Sequence, residues 1–431
     1  MLKNIYQNKK ASSFLFVMVF GFIAFTTITL GISSYALFES KSAKQYHRRD
    51  VAFHIAEAGI DYYRWHLIGS PEDYYDGTGG QSGPYVHDYK DKDGNVVGKF
   101  SLEIDVPLEG THVVAVRSTG WSINNPASTR TIEAYFGYES FSNSAFVENS
   151  SMTFSATSYV YGKVFSNSCI VFNGTSNSWV ESARLSCSGT PGISGSGGPI
   201  QFWRFPVPAR SFTAVNSSFT DLYNMAIKPE GIYLGESGRS GWRLVFNANG
   251  TFQKYVVRTY SSTYFSISQQ TYQGVFNLPE NGVIYSTDHV WVEGVINGRI
   301  TVVANSNSDI IINGNITYNE KYGDDVLGLM AIRDVIIPYN TPNDMEIDAV
   351  LLSATGSIFR PYYAGSIKNS LSIFGSQISY DGGGVKYLSG GNVVSGFINT
   401  YYTYDGNLLY RPPVGIPVIP GYKLISWKEI N

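Results

Sequence analysis

Cysteine is nearly absent from this 431-residue chain, which carries only Cys169 and Cys187. Two cysteines cannot build a disulfide scaffold. No C-x-x-C pair and no nearby histidine pair accompanies them, which argues against zinc. Charge is sparse as well: 15% of residues are charged, the net charge is −3 and the pI is about 6.1. That argues against nucleic-acid binding by phosphate neutralisation. Proline is missing before Pro71, so nothing in the first seventy residues forbids a helix. The six histidines have no nucleophile motif beside them, and neither Gly298 nor Gly382-Gly383-Gly384 is followed by the Lys-Ser/Thr of a phosphate loop. Neither a cofactor nor a metal is implied.

What is plentiful is Gly (44), Tyr (32), Ser, Asn and Thr. This composition fits a β-rich, turn-rich extracellular surface better than a cytosolic enzyme. The length predicts two or three structural units.

Residues 11–38 contain no charge. About 20 apolar residues span a bilayer, so this run is long enough for a transmembrane helix. A cleaved signal peptide is the rival, with Ser-Tyr-Ala as its cleavage site, but the run exceeds an ordinary apolar signal core. Residues 1–10 form a basic leader with Lys3, Lys9 and Lys10, while Lys41, Lys44, Arg48 and Arg49 flank the other side. Charge alone leaves the orientation open. The Ser/Thr/Asn/Tyr-rich body favours an amino terminus inside and a carboxy-terminal part outside. Beyond the span, residues 39–70 read as an amphipathic continuation of one helix. Ala43, Tyr46, Val51, Ile55, Ala58 and Tyr62 mark its stripe, and Gly69-Ser70-Pro71 stops it.

Within that helix, AFHIAEAGI (residues 52–60) sets Glu57 among Ala56, Ala58 and Gly59. The small residues predict close approach by a sheet or another helix. Glu57 then requires a partner, with Arg49, Arg64, Arg117 and Arg130 as candidates, unless it faces water.

A basic amino terminus, a long apolar helix and Ala52…Ala56-Glu57-Ala58-Gly59-Ile60 together resemble the amino-terminal region of PilX-like type IV pilus minor pilins. Ser118, Gly120, Arg130, Ile132, Glu133 and Ala134 resemble the hairpin behind that helix. The resemblance covers about residues 9–138. It implies a prepilin peptidase as a partner, with a processing region at Ala11, Ser12, Ser13 and Phe14, and other pilins or minor pilins as neighbours. The stretch departs from the usual prepilin pattern: it has no Gly, and no acid follows until Glu39.

Residues 71–139 predict the antiparallel sheet of a small α+β head, with a turn at Asp93-Gly94-Asn95 rather than a calcium loop. From 140 onward, short apolar strands with Gly, Asn and Ser corners recur about every 20 residues. This predicts a β-solenoid over 140–187 and 276–431, with a carboxy-terminal cap and with 188–275 as an insertion containing hairpins and a short helix near 216–227. Asn305, Asn307, Asn313 and Asn315 suit its turns. A β-sandwich is the alternative. Cys169 and Cys187 lie 18 residues apart, close to one coil, so stacked coils would place them within disulfide reach; free thiols are the other reading.

Asp324, Asp325, Asp334, Asp344, Glu346 and Asp348 are the carboxylates available to a polysaccharide-cleaving site. No convincing catalytic set emerges, and the chain is expected not to be an enzyme. The expected function is that of a membrane-anchored minor-pilin-like structural protein, in pilus assembly or in surface display and adhesion. A surface glycan or a host or cell-surface protein would be its ligand, and membrane lipid its surroundings. The alternatives are an anchored surface adhesin outside pili and a β-helix enzyme acting on polysaccharide.

Overall fold

The computed structural model describes residues 2–305 and 308–430, and side chains except those of 2–12, 214, 216 and 217. The side chains of Ala11 and Ser12, and Asn307 altogether, thus lie outside the described residues. The protein is mainly β, with one long amino-terminal helix and large sheets holding many parallel strands. It divides into two units. The first comprises 1–105, 115–134 and 426–431, and the second 106–114 and 135–425.

Helix α1 runs unbroken over Leu2–Gly69, 68 residues, or about 100 Å at 1.5 Å per residue. Four antiparallel-patterned strands follow: β1 (Tyr85–Lys90), β2 (Val96–Asp105), β3 (Val113–Ser122) and β4 (Asn125–Ser140). The sheet order is β1-β2-β3-β4, and the closing strand Val418–Ile430 pairs beside β4. The β1–β2 turn is closed by Asp91, whose Oδ1 accepts from the Asp93 and Asn95 N–H groups at 2.9 Å each. Gly94 there has φ +87°, a left-handed position that favours glycine.

In the second unit, parallel strands stack in successive coils. One column of pairings runs Ile232–Leu234, Val283–Ser286, Arg299–Ala304, Val326–Ala331, Asp344–Ser353 and Ile367–Ser379. It then continues into Phe146–Glu148, Val164–Ser166, Val180–Ser182 and Trp203–Arg204. Spatial order therefore differs from chain order. The chain starts in mid-stack and runs outward to residue 204. It resumes at the far end after helix α2 (Thr213–Ala226) and climbs back until residues 377–379 dock on residues 146–148. Thr400–Thr403 likewise pair with Ser158–Tyr161.

Register gives coils of 16 residues (Val164 to Val180) up to 31 (Ile316 to Ile347), and longer still between Trp242 and Val290, so the 20-residue period is only approximate. Interior positions form apolar columns of Val, Ile and Leu. Serine recurs at one corner. Ser166, Ser182 and Ser286 each accept, through the hydroxyl, the N–H two residues on.

Two sequence-based boundaries move. Residues 188–275 are not wholly an insertion: Ile193–Ser194, Trp203–Arg204, Ile232–Leu234 and Gly241–Asn247 all pair within the stack. The hairpin of Thr251–Tyr260 and Ile267–Asn277 extends from it. The Gly/Ser/Pro passage reads as flexible, yet its glycines serve close stacking. A Cβ on Gly195 or Gly197 would meet the Phe172 or Gly174 carbonyl oxygen at 2.3 or 2.2 Å. The carboxy terminus is also not simply a cap of the stack, because Val418–Ile430 joins the five-stranded sheet and Trp427 lies 6.2 Å from Phe53, ring to ring.

Candidate assembly face of the amino-terminal helix

Every large apolar side chain from Phe14 to Phe38 is exposed, Phe14 and Phe38 by 66% and 67%. Helix α1 is long and apolar enough to cross a membrane. Past this stretch, one face turns inward: Ala52, Ile55, Ala56, Gly59, Ile60, Tyr63 and Leu67 are buried. Their spacing of three and four residues is that of one helical stripe. The stripe read from sequence was rotated from this one. Ala43 and Tyr46 are exposed, Val51, Ala58 and Tyr62 half-buried, and of that set only Ile55 is fully inside.

The buried stripe meets the sheet at contact distance because both sides are small. A Cβ on Gly59 would lie 2.2 Å from Ser118 Oγ and 2.8 Å from the Phe100 ring. A Cβ on Gly120 would lie 2.3 Å from the Ala56 nitrogen. Ala56 and Gly59 thus serve sheet packing, whereas Ala58 sits at the margin of the stripe.

Glu57 is not paired with any of the four arginines. It is exposed on the face opposite the sheet, and its Oε2 lies 3.3 Å from His54 Nδ1. The physical reason is helical phase: with Ala56 and Gly59 turned inward, residue 57 must turn out. Arg49 and Arg64 are exposed, and neither has an ion pair among the described residues. Arg117 instead donates through Nε to Glu133 Oε1 at 3.0 Å and lies 3.3 Å from Asp105. Arg130 pairs with Glu429. Glu133 is nearly buried and takes Lys428 as a second cation at 3.0 Å. Burial raises its carboxyl and these two cations outweigh it, so the carboxyl is held below its usual range. Ser13 and Phe14 are exposed on the helix.

Cys169 and Cys187 are joined as a disulfide, with Cα atoms 6.2 Å apart. The carboxylates considered for catalysis all engage protein donors. Asp344 accepts from Ser370 and Asn369. Glu346 and Asp348 share Lys321 Nζ at 2.7 and 2.9 Å. Asp325 accepts from the Gly298 and Glu320 N–H groups, Asp334 from that of Ser357, and Asp324 pairs with Arg411. Among the described residues, no group of three or more His, Cys, Asp or Glu could hold a metal. The sequence places Ser among the corner residues, but which serines form the corner column, Ser166, Ser182 and Ser286, follows only from the register. Gly294 and Gly375 recur for another reason: each has positive φ and presses on a neighbouring strand's carbonyl.

No family model matches the chain, and no curated protein matches it in sequence. Among solved structures it is similar to the competence-associated pilin ComZ of Thermus thermophilus. The sequence identity is 13%, with 89% of this chain and 98% of that one covered and a TM-score of 0.34. A score at that level transfers neither fold nor function.

Proposed function

We propose that this chain is a structural subunit of minor-pilin type that takes part in a type IV pilus-like assembly, with its amino terminus on the cytoplasmic side of the membrane and its β-rich body outside. One observation carries the reading. A single helix changes role along its length, bare and apolar over Phe14–Phe38 and then backed by a sheet on one stripe only. The bare half suits lipid before assembly and neighbouring pilin helices after it. The outward face at His54 and Glu57 is left for such neighbours. Other pilins and a prepilin peptidase are the partners this role requires, and no catalytic step belongs to it. A second reading, an anchored adhesin that never leaves the membrane, is favoured by the missing Gly before Phe14 and the missing acid before Glu39.

The deciding measurement is mass spectrometry of the mature amino terminus in sheared surface fibres and in membranes. A chain trimmed near Ala11–Phe14 and present in fibres supports the pilin. An intact Met1 confined to membranes supports the adhesin. A start near Leu37 or later defeats both, because the helix would be a cleaved signal.

A further inference from the structure

Two columns of the parallel stack are broken at the same place. The first is an interior column that runs through paired positions Ile284, Val302, Leu329, Leu351, Gln377, Phe146, Val164 and Val180. Seven of these eight are apolar, and the exception is Gln377. The second is the corner column Ser286, Ala304, Ala331, Ser353, Ser379, Glu148, Ser166, Ser182. Every member is Ser or Ala except Glu148. Gln377 is 8% and Glu148 7% exposed. Among the described residues the side chain of Gln377 makes no hydrogen bond to protein, and its amide is left accessible at the cavity.

Both side chains line one cavity of about 410 Å³. Its inner wall carries three rings in edge-to-face contact, Phe146 with Phe154 at 5.0 Å and Phe146 with Tyr402 at 4.8 Å. At its mouth, Gly382-Gly383-Gly384 contributes backbone and no side chains. A Cβ on Gly383 would strike the Ile358 carbonyl, while one on Gly384 meets nothing within 4 Å. The loop is pinned, since the Arg360 N–H donates to the Gly384 carbonyl at 2.9 Å and the Asp381 N–H to that of Gly356 at 2.8 Å. The cavity is therefore preformed. Lys386, also in its wall, spends its ammonium on Ser155 Oγ, Thr157 Oγ1 and the Ile398 carbonyl, at 2.9, 2.6 and 2.6 Å. It leaves no free cation for an anionic ligand. Burial pushes the Glu148 carboxyl up to about 8, so at neutral pH it presents a neutral acid.

From the two broken columns, the preformed cavity and its aromatic wall, we infer that this cavity is a binding site for an uncharged sugar residue of a glycan. Gln377 and Glu148 would bond its hydroxyls and the rings would cover its apolar face. Mixed donors and acceptors over an aromatic wall, with no unpaired charge, match a polyol rather than an ion. The site is independent of the pilin reading, because an anchored adhesin would carry it equally.

The test is saturation-transfer NMR on the full chain in a zwitterionic detergent lacking sugar headgroups. The probes are the methyl glycosides of glucose, galactose, mannose and N-acetylglucosamine. Two variants accompany it. Gly384→Leu fills the mouth where a side chain has room. Gln377→Leu restores the apolar column and removes the amide. The expected result is saturable transfer to at least one glycoside, weakened at least about 10-fold in either variant, in Gln377→Leu by loss of one hydrogen-bonding group and in Gly384→Leu by the bulk added at the mouth. Gln377→Leu should also melt at or above the wild-type temperature, which a merely structural glutamine would not allow. If one variant does not fold, the other is read. The inference is overturned if no glycoside shows transfer, or if transfer persists unchanged in the folded variants.

Discussion

Gly120 shows how one residue sets the distance between a helix and a sheet. A side chain there has nowhere to go, since its Cβ would sit 2.3 Å from the Ala56 nitrogen and 2.5 Å from the Ala52 oxygen. Gly120→Val should destabilise the first unit by about 1–3 kcal/mol or more, read as a lower melting temperature of the full chain in detergent. An unchanged melting temperature would mean the helix does not lie where it is described. Glu148 makes a prediction of the opposite kind, about pH. Burial raises its carboxyl to about 8 and Asp381 adds to this, while hydrogen bonds from Ser150 and Ser379 oppose it. In the unfolded chain the group titrates near its ordinary value of 4.5. Between those values the native state holds a proton that the unfolded state has lost, so stability falls as pH rises from about 4.5 to about 8 and then levels. Glu148→Gln cannot titrate. Its stability advantage over the wild type should therefore widen between pH 5 and 9, by a few kcal/mol, in paired denaturation series.

At the scale of elements, the disulfide ties neighbouring coils across a separation of 18 residues. Closing such a loop in the unfolded chain is worth about 3 kcal/mol by the chain-entropy account. Replacing both cysteines by serine should lower stability by about that amount. Thiol counting on unreduced, denatured protein should find none, and two reactive thiols would refute the bridge. The long helix was legible in sequence because two signals agreed: no proline before Pro71, and an uncharged run over 11–38. Its inward stripe was not legible in phase. Ala and Gly carry almost no hydropathy signal, so weighing larger residues such as Tyr46 and Tyr62 rotated the predicted face. The Glu57 pairing failed for the same reason.

At the scale of the whole molecule, the stack is joined by strands far apart in sequence. Thr400 Oγ1 and Ser158 Oγ lie 3.0 Å apart across 242 residues, and Thr157 Oγ1 donates to the Ile398 carbonyl at 2.6 Å. Residues 158–161 and 400–403 should therefore gain and lose protection together in amide hydrogen exchange across a denaturant series. Independent opening of the two strands would show that this seam does not close as described. The same seam places Gln377 beside Phe146 and creates the cavity. Gln377 and Glu148 went unremarked in sequence because a broken column is visible only once the register is known.

Local chemistry was therefore enough for some features of this protein. Composition, period-two apolar runs and turn residues determined a mainly β body, an unbroken amino-terminal helix and a pair of cysteines one coil apart, because each rests on neighbours within about 20 residues. Only the tertiary structure decided which stripe of the helix meets the sheet, that the chain enters its stack in the middle, and that the last strand returns to the amino-terminal sheet. Those outcomes depend on contacts between segments from about sixty to several hundred residues apart, which leave no periodic trace in the sequence.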